Sequence, residues 1–506
     1  MGVRRDVAAT VGSRLWVAAM SFAFVPFYIR LLGVEAYGLI GLFASMMAVF
    51  AVLDLGLSVT VNRELARLGP GPGARPEART LLRTLEAVYW ATAAAIGAGL
   101  ALAAPWIARR WLTLDALDPD AATDAIRLMG LVATLRWPVA LYTGALMGAG
   151  RQVRLAGVAA AAATLQGGGA VLALLAAPTI AVFFSWQAAV AAAQVALLAW
   201  LSWRELPLAG HRATFSAPTL RAVGGFAAGV AGITILSVVL TQLDKLILSR
   251  MLPLAEFGYY SLAGALAATV GIAGGAAYAS LFPTLSALAA GGRGDELRRT
   301  YHGGSQAMAL LVAPAALTVA FFSPELLRSY LRDPVLAAET ADLLRLLVVG
   351  HGLLTLMLLP LALQLAHGWT GLSLWKNVVA VALFVPALWF MVRRFGPEGA
   401  ATTWIALTAG YFLVEVQVMH RRLLRGEQWR WYFADIAPTV AISGAVLAVA
   451  RAVVGPATPE LAALAVIGAA GLLSLALSTL ATPAGRERLM RALAARRSAR
   501  VGPAGA

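Results

Sequence analysis

The amino-acid sequence predicts an all-α membrane protein, a polytopic helical bundle of about 14 transmembrane spans. Hydrophobic residues make up 60% of the 506 residues, charged residues only 13%, and the mean hydropathy is +0.78. A soluble domain carries about 25% charged residues, so this chain cannot cover itself with a water-exposed surface. A transmembrane β-barrel is not expected, because its strands alternate apolar and polar residues over about 10 positions, and the apolar stretches here run about twice as long.

Turn-rich and charged segments separate the apolar stretches and place the span boundaries. The segment 69–73 alternates glycine with proline and cannot continue a helix. The first stretch does not resemble a cleavable signal peptide, because it is long, contains Arg14 and lacks a small-residue cleavage site. The predicted spans lie near residues 9–31, 37–61, 84–107, 124–148, 155–177, 180–202, 223–249, 257–286, 303–323, 338–366, 371–393, 399–420, 434–454 and 461–482.

The distribution of basic residues predicts the orientation of these spans. With the N-terminus inside, the cytoplasmic segments hold about 27 of the 40 lysine and arginine residues and the external segments about nine. An even number of spans then places both termini in the cytoplasm. The net charge of +15 is explained by these loops facing anionic membrane lipids, so no nucleic-acid partner is expected.

A short internal repeat predicts two similar halves. Residues 30–38 align without gaps to residues 250–258, at an offset of 220. The shared pattern, Arg-[Leu/Met]-Leu-x-[Val/Leu]-x-x-[Tyr/Phe]-Gly, joins a first span to a second one. Parallel repeats of six helices occur in several transporter folds. The predicted organisation is a six-helix lobe over 1–210, a second over 211–425, two additional helices over 426–485 and a basic cytoplasmic tail over 486–506.

Two arginines inside spans are candidate binding residues. A charged side chain at mid-bilayer costs about 3 kcal/mol on insertion scales. Arg136 lies near the middle of its span, before Trp137-Pro138, and either faces a cavity or forms a structural salt bridge. Arg14, Ser21 and Tyr28 recur every seven residues and form one polar stripe on an otherwise apolar helix. Arg14 either faces a cavity or extends to the membrane interface.

Two spans combine a carboxylate with hydroxyl residues on one face. Asp54 is followed by Ser58 at a spacing of four, and Asp244 and Lys245 follow Thr241. Adjacent helix positions do not face each other, so the partner of Asp244 is predicted on another helix. These stripes either line a pathway or bind helices together.

Five further charged residues lie near the ends of spans. Arg345 stands three residues after Asp342, with which it can pair on one helix. We interpret the remaining three as interfacial; they are Glu86, Lys376 and Glu415.

Signals for enzymatic chemistry are weak. The sequence has no Gly-x4-Gly-Lys-[Ser/Thr] phosphate loop and no cysteine. Its five histidines are scattered without metal-ligand spacing. We therefore expect no cofactor, no metal site and no enzymatic activity.

Several motifs resemble those of a known family. The first two spans resemble those of bacterial oligosaccharide (O-antigen-type) flippases, which belong to the multidrug/oligosaccharidyl-lipid/polysaccharide exporter superfamily. The residues that carry this resemblance are Pro26, Arg30-Leu-Leu-Gly33 and Tyr37-Gly38, followed by Asp54-Leu55-Gly56-Leu57 and Asn62-Arg63-Glu64. The segment 243–249 and Phe257-Gly258-Tyr259-Tyr260 show the same resemblance, which spans about residues 1–425.

The resemblance implies two six-helix lobes around a central, cation-lined cavity in the cytoplasmic (inner) membrane. It implies translocation of an undecaprenyl-diphosphate-linked sugar between leaflets, possible association with a polysaccharide polymerase and chain-length machinery, and no cofactor. A diphosphate needs cations to replace its water, and the available ones are Arg14, Arg136, Lys245 and Arg345. Asp54 and Asp244 are the carboxylates placed to take a proton or sodium ion.

Three other functions remain open at this point. A lipid II flippase would also use cavity arginines. A multidrug exporter of the same superfamily would favour carboxylates for cationic drugs. A membrane polysaccharide polymerase or ligase would need a large external loop, whereas the longest external segment here lies near 107–123.

Reporter fusions test the predicted orientation. Fusions at Gly71 and Arg425 should report the cytoplasm, and fusions at Asp118 and Glu398 the outside, because basic loops stay on the cytoplasmic side. A cytoplasmic signal at Asp118 would contradict the fourteen-span arrangement.

Overall fold

The described part of the chain is almost entirely helical. The computed structural model describes residues 2–68, 75–206, 213–221, 238, 241–455, 458–483 and 485–487. Among these, the β-structure consists of one isolated bridge between Thr113 and Pro253. The predicted all-α fold class is confirmed. Two compact units divide the chain, Met1–Gly258 and Tyr259–Ala506. The predicted lobe boundary at residue 210 lies outside the described residues.

Eleven helical segments among the described residues are long and apolar enough to cross a membrane. The segment Thr370–Leu423, of 54 residues, contains two of the predicted spans and turns at Gly396, where φ is +57°. The span predicted at 124–148 is divided into two shorter helices, and most of the span predicted at 223–249 lies outside the described residues. The chain is a multi-pass membrane protein.

The described part of the first unit contains ten α-helices with assigned bounds and two further helical stretches, 217–221 and 241–251. Short 3-10 or π segments, Ala51–Asp54, Ile107–Trp111 and Leu165–Gly169, interrupt or extend them. The α-helices are Gly2–Ala23, Val25–Leu32, Val34–Phe50, Leu57–Leu68, Arg75–Trp106, Pro119–Arg136, Val139–Gly148, Gln152–Thr164, Ala170–Ala176 and Ile180–Glu205.

The second unit has longer helices, and the first of them begins in the last residues of unit 1. Two π segments, Tyr411–Glu415 and Trp431–Ile436, lie between its last helices. The α-helices are Leu254–Ala268, Val270–Ala290, Gly294–Leu331, Pro334–Leu356, Leu358–Ala366, Thr370–Gly410, Val416–Leu423, Gln428–Arg430, Ala437–Val453 and Glu460–Ala481.

The second predicted span is not one continuous helix. The helix Val34–Phe50 passes into the 3-10 turn Ala51–Asp54, and then Leu55 and Gly56 both have positive φ, +48° and +77°. A left-handed residue cannot continue a right-handed helix. The next helix, Leu57–Leu68, therefore starts afresh, and Asp54 lies at the break.

The fourth predicted span breaks for a different reason. The first helix, Pro119–Arg136, has Trp137 as its C-cap residue. The second helix, Val139–Gly148, begins after Pro138. Proline has no backbone N–H and its ring displaces the preceding turn, so the break follows Arg136 directly.

The two copies of the internal repeat pack against each other within unit 1. A Cβ atom on Gly38 would lie 2.5 Å from the carbonyl oxygen of Leu254, and one on Gly258 would lie 2.5 Å from that of Val34. Because Val34 and Leu254 are equivalent positions at the 220-residue offset, the contact is reciprocal, as at a twofold axis. Only glycine allows the backbones to approach this closely.

A buried carboxylate organises the loop beside this contact. Glu35 is 8% exposed and accepts backbone N–H groups from Asp115, Ala116 and Leu117 at 2.8–2.9 Å. The same loop accepts the Leu254 N–H at the carbonyl of Thr113 (2.9 Å). The first repeat copy therefore holds the loop that in turn holds the second copy.

The two C-terminal helices dock on Gly294–Leu331 through an apolar cluster. An ion pair between Arg451 and Glu325, 2.5 Å long, lies beside it. The buried members of the cluster are Phe322, Leu447, Ala450, Val454, Ala463, Ile467 and Ala470.

Substitution of Gly38 tests the close contact of the repeats. Gly38→Ala places a methyl group against the Leu254 carbonyl and should destabilise the protein by about 1–3 kcal/mol, the usual cost of overpacking. The measurement is the thermal unfolding midpoint of the detergent-solubilised protein. Gly99→Ala is the matched control, because a Cβ there meets nothing within 4 Å. Equal midpoints for the two variants would contradict the packing argument.

Candidate functional site

Arg136 lies inside unit 1 without a carboxylate partner among the described residues. Its Nη2 donates to Oε1 of Gln187 at 2.8 Å, and its guanidinium lies 5.9 Å from the centre of the Phe43 ring. Its Nε is buried and has no hydrogen-bond acceptor in the described structure. The salt bridge considered as an alternative for Arg136 is therefore absent from the described residues, and the site keeps a net positive charge.

A series of glutamines extends from Arg136. Gln187 Nε2 donates to the carbonyl of Gln166 (3.1 Å), and Gln166 Nε2 donates to Gln194 Oε1 (3.4 Å). Gln166 lies in the π segment Leu165–Gly169, where the widened turn redirects backbone carbonyls. We call Arg136, Gln187, Gln166 and Gln194 the unit 1 polar network.

The last glutamine of the unit 1 polar network lines a cavity that Arg14 also lines. This cavity has a volume of about 230 Å³, and Thr10, Ser13 and Thr143 contribute to its wall. Arg14 is exposed, and none of the ion pairs among the described residues includes it. One predicted cation, Arg136, thus belongs to the network, and a second, Arg14, shares a cavity with its last glutamine.

The glutamines of the unit 1 polar network were not predicted from the sequence, because they carry no charge. Gln187 and Gln194 are seven residues apart in one apolar span, a spacing that places them on the same helix face. Amides inside apolar spans need partners as charged groups do, so this spacing was the available signal.

Asp54 is held by hydroxyl groups, and one of these belongs to a tyrosine that packs on Trp137, the residue after Arg136. Asp54 Oδ1 accepts the hydroxyl of Tyr89, and its Oδ2 accepts Ser58 Oγ at 2.8 Å. The Tyr89 ring packs on Trp137, with 6.2 Å between ring centres. Asp54 is half-buried and has two neutral hydroxyl donors, so its carboxylate is not neutralised by a cation among the described residues.

Asp244 and Lys245 approach each other more closely than expected. Lys245 Nζ lies 4.0 Å from Asp244 Oδ1 and donates to the carbonyl of Thr241 at 3.1 Å. The lysine side chain bends back along its own helix, which brings its Nζ near the neighbouring carboxylate. The contact is at the outer limit of an ion pair, and Asp244 is 4% exposed. A partner for Asp244 on another helix stays a prediction.

Arg345, in unit 2, pairs on its own helix. Its Nη1 lies 2.9 Å from Asp342 Oδ1, and its Nε donates to the carbonyl of Ala320 at 3.2 Å. Both side chains of the pair are about half exposed or more. The predicted pairing of Arg345 with Asp342 on one helix is therefore present. Among the four predicted cations, Arg345 is the one whose charge is most nearly balanced by a carboxylate.

Two of the three residues interpreted as interfacial, Glu86 and Glu415, are buried inside the protein. Glu86, 7% exposed, accepts hydrogen bonds from Tyr142 Oη at 2.5 Å, Trp203 Nε1 at 3.2 Å and Arg83 Nη1 at 2.7 Å. Tyr142 and Trp203 belong to other helices and Arg83 to the same helix. The interfacial position of Glu86 stays a prediction.

The other two residues interpreted as interfacial, Lys376 and Glu415, pair with each other in unit 2. Glu415, 3% exposed, pairs with Lys376 at 2.6 Å and accepts Gln364 Nε2 at 2.8 Å. Among the described residues, no group of three or more metal-ligating side chains could hold a metal ion.

Comparison with known proteins identifies the family. A sequence profile of the polysaccharide biosynthesis protein family (Polysacc_synt_3) matches residues 28–333, more than half of the chain. The chain belongs to this family. The resemblance found in the sequence is confirmed. No curated protein sequence matches the chain at a significant level.

Solved structures show that this polysaccharide biosynthesis protein shares the fold of two transporter groups. It is similar to the lipid II flippase MurJ in an inward closed conformation, with a TM-score of 0.67, 11% identity, and 94% of this chain and 97% of MurJ covered. An inward-facing multidrug resistance MATE transporter of the MOP superfamily gives a TM-score of 0.65 at 14% identity, covering 80% of this chain and 96% of that one. A mutant of the Vibrio cholerae MATE transporter VcmN gives 0.53 at 17% identity, covering 84% and 98%.

Proposed function

We propose that this polysaccharide biosynthesis protein is a flippase that moves a polyprenyl-diphosphate-linked oligosaccharide, with undecaprenyl as the expected lipid, across the cytoplasmic membrane. Family membership supports the connection to polysaccharide assembly, and the fold is one that transporters use. Moving a lipid between leaflets makes and breaks no covalent bond, so the proposed role is that of a transporter and not of an enzyme. Both termini are proposed to be cytoplasmic, and a polymerase and chain-length machinery are proposed as partners.

The observation that carries this proposal is the uncompensated charge of Arg136. A guanidinium inside a membrane span is costly unless an anion or a water-filled cavity meets it. Its described partners are neutral, an amide and an aromatic ring. A diphosphate supplies two negative charges and oxygen acceptors for the fork of the guanidinium, and would offset that cost when bound.

The other cations have graded roles in the proposal. Arg14, in its 230 Å³ cavity, is the second contact for the diphosphate. Lys245 is next, because its contact with Asp244 is long. Arg345 would have to exchange Asp342 for substrate, so its contribution is the smallest of the four.

The charge of this site also separates the rival functions. A multidrug exporter for cationic compounds would need carboxylates where this chain has Arg14 and Arg136, so the site disfavours it. A lipid II flippase binds the same anionic linkage, and lipid II is therefore a matched test substrate that differs in the sugar.

Replacement of Arg136 tests the proposal. Arg136→Ala should abolish translocation of a fluorescent undecaprenyl-diphosphate oligosaccharide in proteoliposomes. Arg136→Lys should restore only part of it, because lysine lacks the planar fork. Arg14→Ala should also reduce the rate. The measurement is the fraction of labelled lipid accessible from each side of the vesicle over time.

Arg127→Ala is the matched control for this experiment. It lies on the same helix as Arg136 and forms an exposed pair with Asp124 at 3.0 Å, so its removal should leave the rate unchanged. Full activity of the Arg14→Ala, Arg136→Ala double variant would remove both arginines from the mechanism. If the protein translocates lipid II faster than other lipid-linked oligosaccharides, the proposed substrate is replaced by lipid II and the proposed diphosphate site is unchanged.

Asp54 and Asp244 are proposed to couple translocation to a cation or proton. Asp54 is held by two hydroxyls at a break in its span, and such a carboxylate can accept a proton or a sodium ion without losing a salt bridge. Asp244 is buried, and the Nζ of Lys245 lies 4.0 Å from its Oδ1. Substrate supply alone is the alternative driving force.

Neutral variants test this coupling. Asp54→Asn and Asp244→Asn should each reduce gradient-driven translocation at least about tenfold, a loss of about 1.4 kcal/mol, while thermal stability stays close to that of the unmodified protein. A variant that fails to fold would instead indicate a structural role. Normal transport by both variants, unaffected by collapse of the proton and sodium gradients, would refute the coupling.

A further inference from the structure

The cavity that Arg14 lines is enclosed by four helices of unit 1. The helix Gln152–Thr164 packs against the other three, which are Gly2–Ala23, Val139–Gly148 and Ile180–Glu205. The cavity volume of about 230 Å³ is below the about 300–1,000 Å³ of pockets for drug-sized molecules, so the space suits a single sugar ring. We call it the Arg14 cavity; the polar residues of its wall are Thr10, Ser13, Arg14, Thr143, Gln152 and Gln194.

Three polar side chains of this wall keep hydrogen-bonding groups for a ligand. Thr143 and Gln152 make no hydrogen bond within the part of the chain that the structure describes. Gln194 accepts Gln166 Nε2 at its Oε1 (3.4 Å), and its own Nε2 has no acceptor there. All three side chains are half-buried. One hydroxyl and two amides are therefore available as donors and acceptors.

Aliphatic side chains lie next to these amides. Leu155 stands three residues after Gln152, and Leu198 stands four residues after Gln194, so each pair shares one helix face. Met147 and Val158 extend the apolar part of the wall, and Arg14 is its charged residue among those described. The Arg14 cavity thus combines a cation, uncharged amides and an aliphatic surface.

This combination matches an acetamido sugar better than a sugar that carries hydroxyls alone. An acetamido group has an N–H donor, a carbonyl acceptor and a methyl group. The N–H and the carbonyl can pair with a glutamine amide, which also has both a donor and an acceptor. The aliphatic wall removes the methyl group from water. A hydroxyl in the same place would lose the methyl contact and leave an amide group of the protein unpaired.

The position of the sugar follows from its bond to the diphosphate. In the proposed substrate the first sugar is attached to the terminal phosphate, so a phosphate on Arg14 brings that sugar to the same cavity. A guanidinium binds an anionic oxygen more strongly than a neutral hydroxyl. Arg14 therefore takes the phosphate, and the uncharged groups on the other three helices are left for the sugar.

We propose that the Arg14 cavity binds the first sugar of the lipid-linked oligosaccharide, and that this sugar carries an acetamido group, as an N-acetylhexosamine does. Gln152 and Gln194 bind the acetamido N–H and carbonyl, and Thr143 binds a ring hydroxyl. The inference rests on the proposed function, because the diphosphate positions the sugar. It adds the class of the first sugar, which neither the family nor the fold specifies.

Three lipids that differ in the first sugar test the proposal. Each contains undecaprenyl diphosphate; one carries N-acetylglucosamine, one carries glucose and one carries no sugar. The measurement is the dissociation constant of each lipid with the full chain in lipid nanodiscs. The N-acetylglucosamine lipid should bind at least about tenfold more tightly than either of the others, a difference of about 1.4 kcal/mol.

Gln152→Met tests the location of the sugar. The substitution keeps the length of the side chain, removes its amide and breaks no hydrogen bond within the described chain. The preference for N-acetylglucosamine over glucose should fall to about twofold or less, whereas the affinity for the sugar-free lipid stays unchanged. Gln194→Met should act in the same direction. Gln428→Met is the matched control, because it makes the same exchange at the first residue of a helix in unit 2, and it should keep the full preference.

The outcomes separate this inference from the proposed function. Equal affinity for all three lipids would refute the sugar site and leave the diphosphate site in place. A glucose lipid that binds as tightly as the N-acetylglucosamine lipid would overturn the acetamido assignment. An unchanged preference in the Gln152→Met, Gln194→Met double variant would exclude this cavity as the location. If none of the three lipids binds, the proposed function itself is contradicted, and the sugar site with it.

Discussion

Polar groups inside the apolar helices of this protein have to find their hydrogen-bond partners within the protein, because hydrocarbon offers none. This constraint explains why Arg136 contacts Gln187, why Glu86 is enclosed by Tyr142, Trp203 and Arg83, and why Lys376 meets Glu415. At Arg136 the described partners leave a positive charge uncompensated. The proposed diphosphate follows from that charge.

The breaks in the spans serve the same constraint. A continuous helix satisfies its own backbone and presents side chains at fixed angles, whereas an interrupted one places a side chain at the break. Asp54 lies at the end of a 3-10 turn before Leu55 and Gly56, Arg136 lies before Pro138, and Gln166 lies in a π segment. Functional residues in discontinuous membrane helices are a recurring feature of transporters.

The reciprocal contact of the repeats gives unit 1 a second organising feature. Gly38 and Gly258 each admit a backbone carbonyl of the other copy, and Glu35 anchors the adjoining loop through three backbone N–H groups. The two copies are thus held by backbone contacts that tolerate no side chain. Their sequence similarity reflects a shared steric requirement.

The sequence by itself determined the all-α fold class, most span positions, the repeat and the presence of Arg14 and Arg136 inside spans, because hydropathy and local spacing are properties of short segments. It also allowed the Arg345–Asp342 pair, since a spacing of three is a local helical contact. Only the tertiary structure decided that Arg136 meets Gln187, that Glu415 is buried with Lys376, and that Gln152 and Gln194 share a cavity with Arg14. These partners lie on different helices, and their encounter depends on how whole helices pack and where they break, which no local pattern encodes.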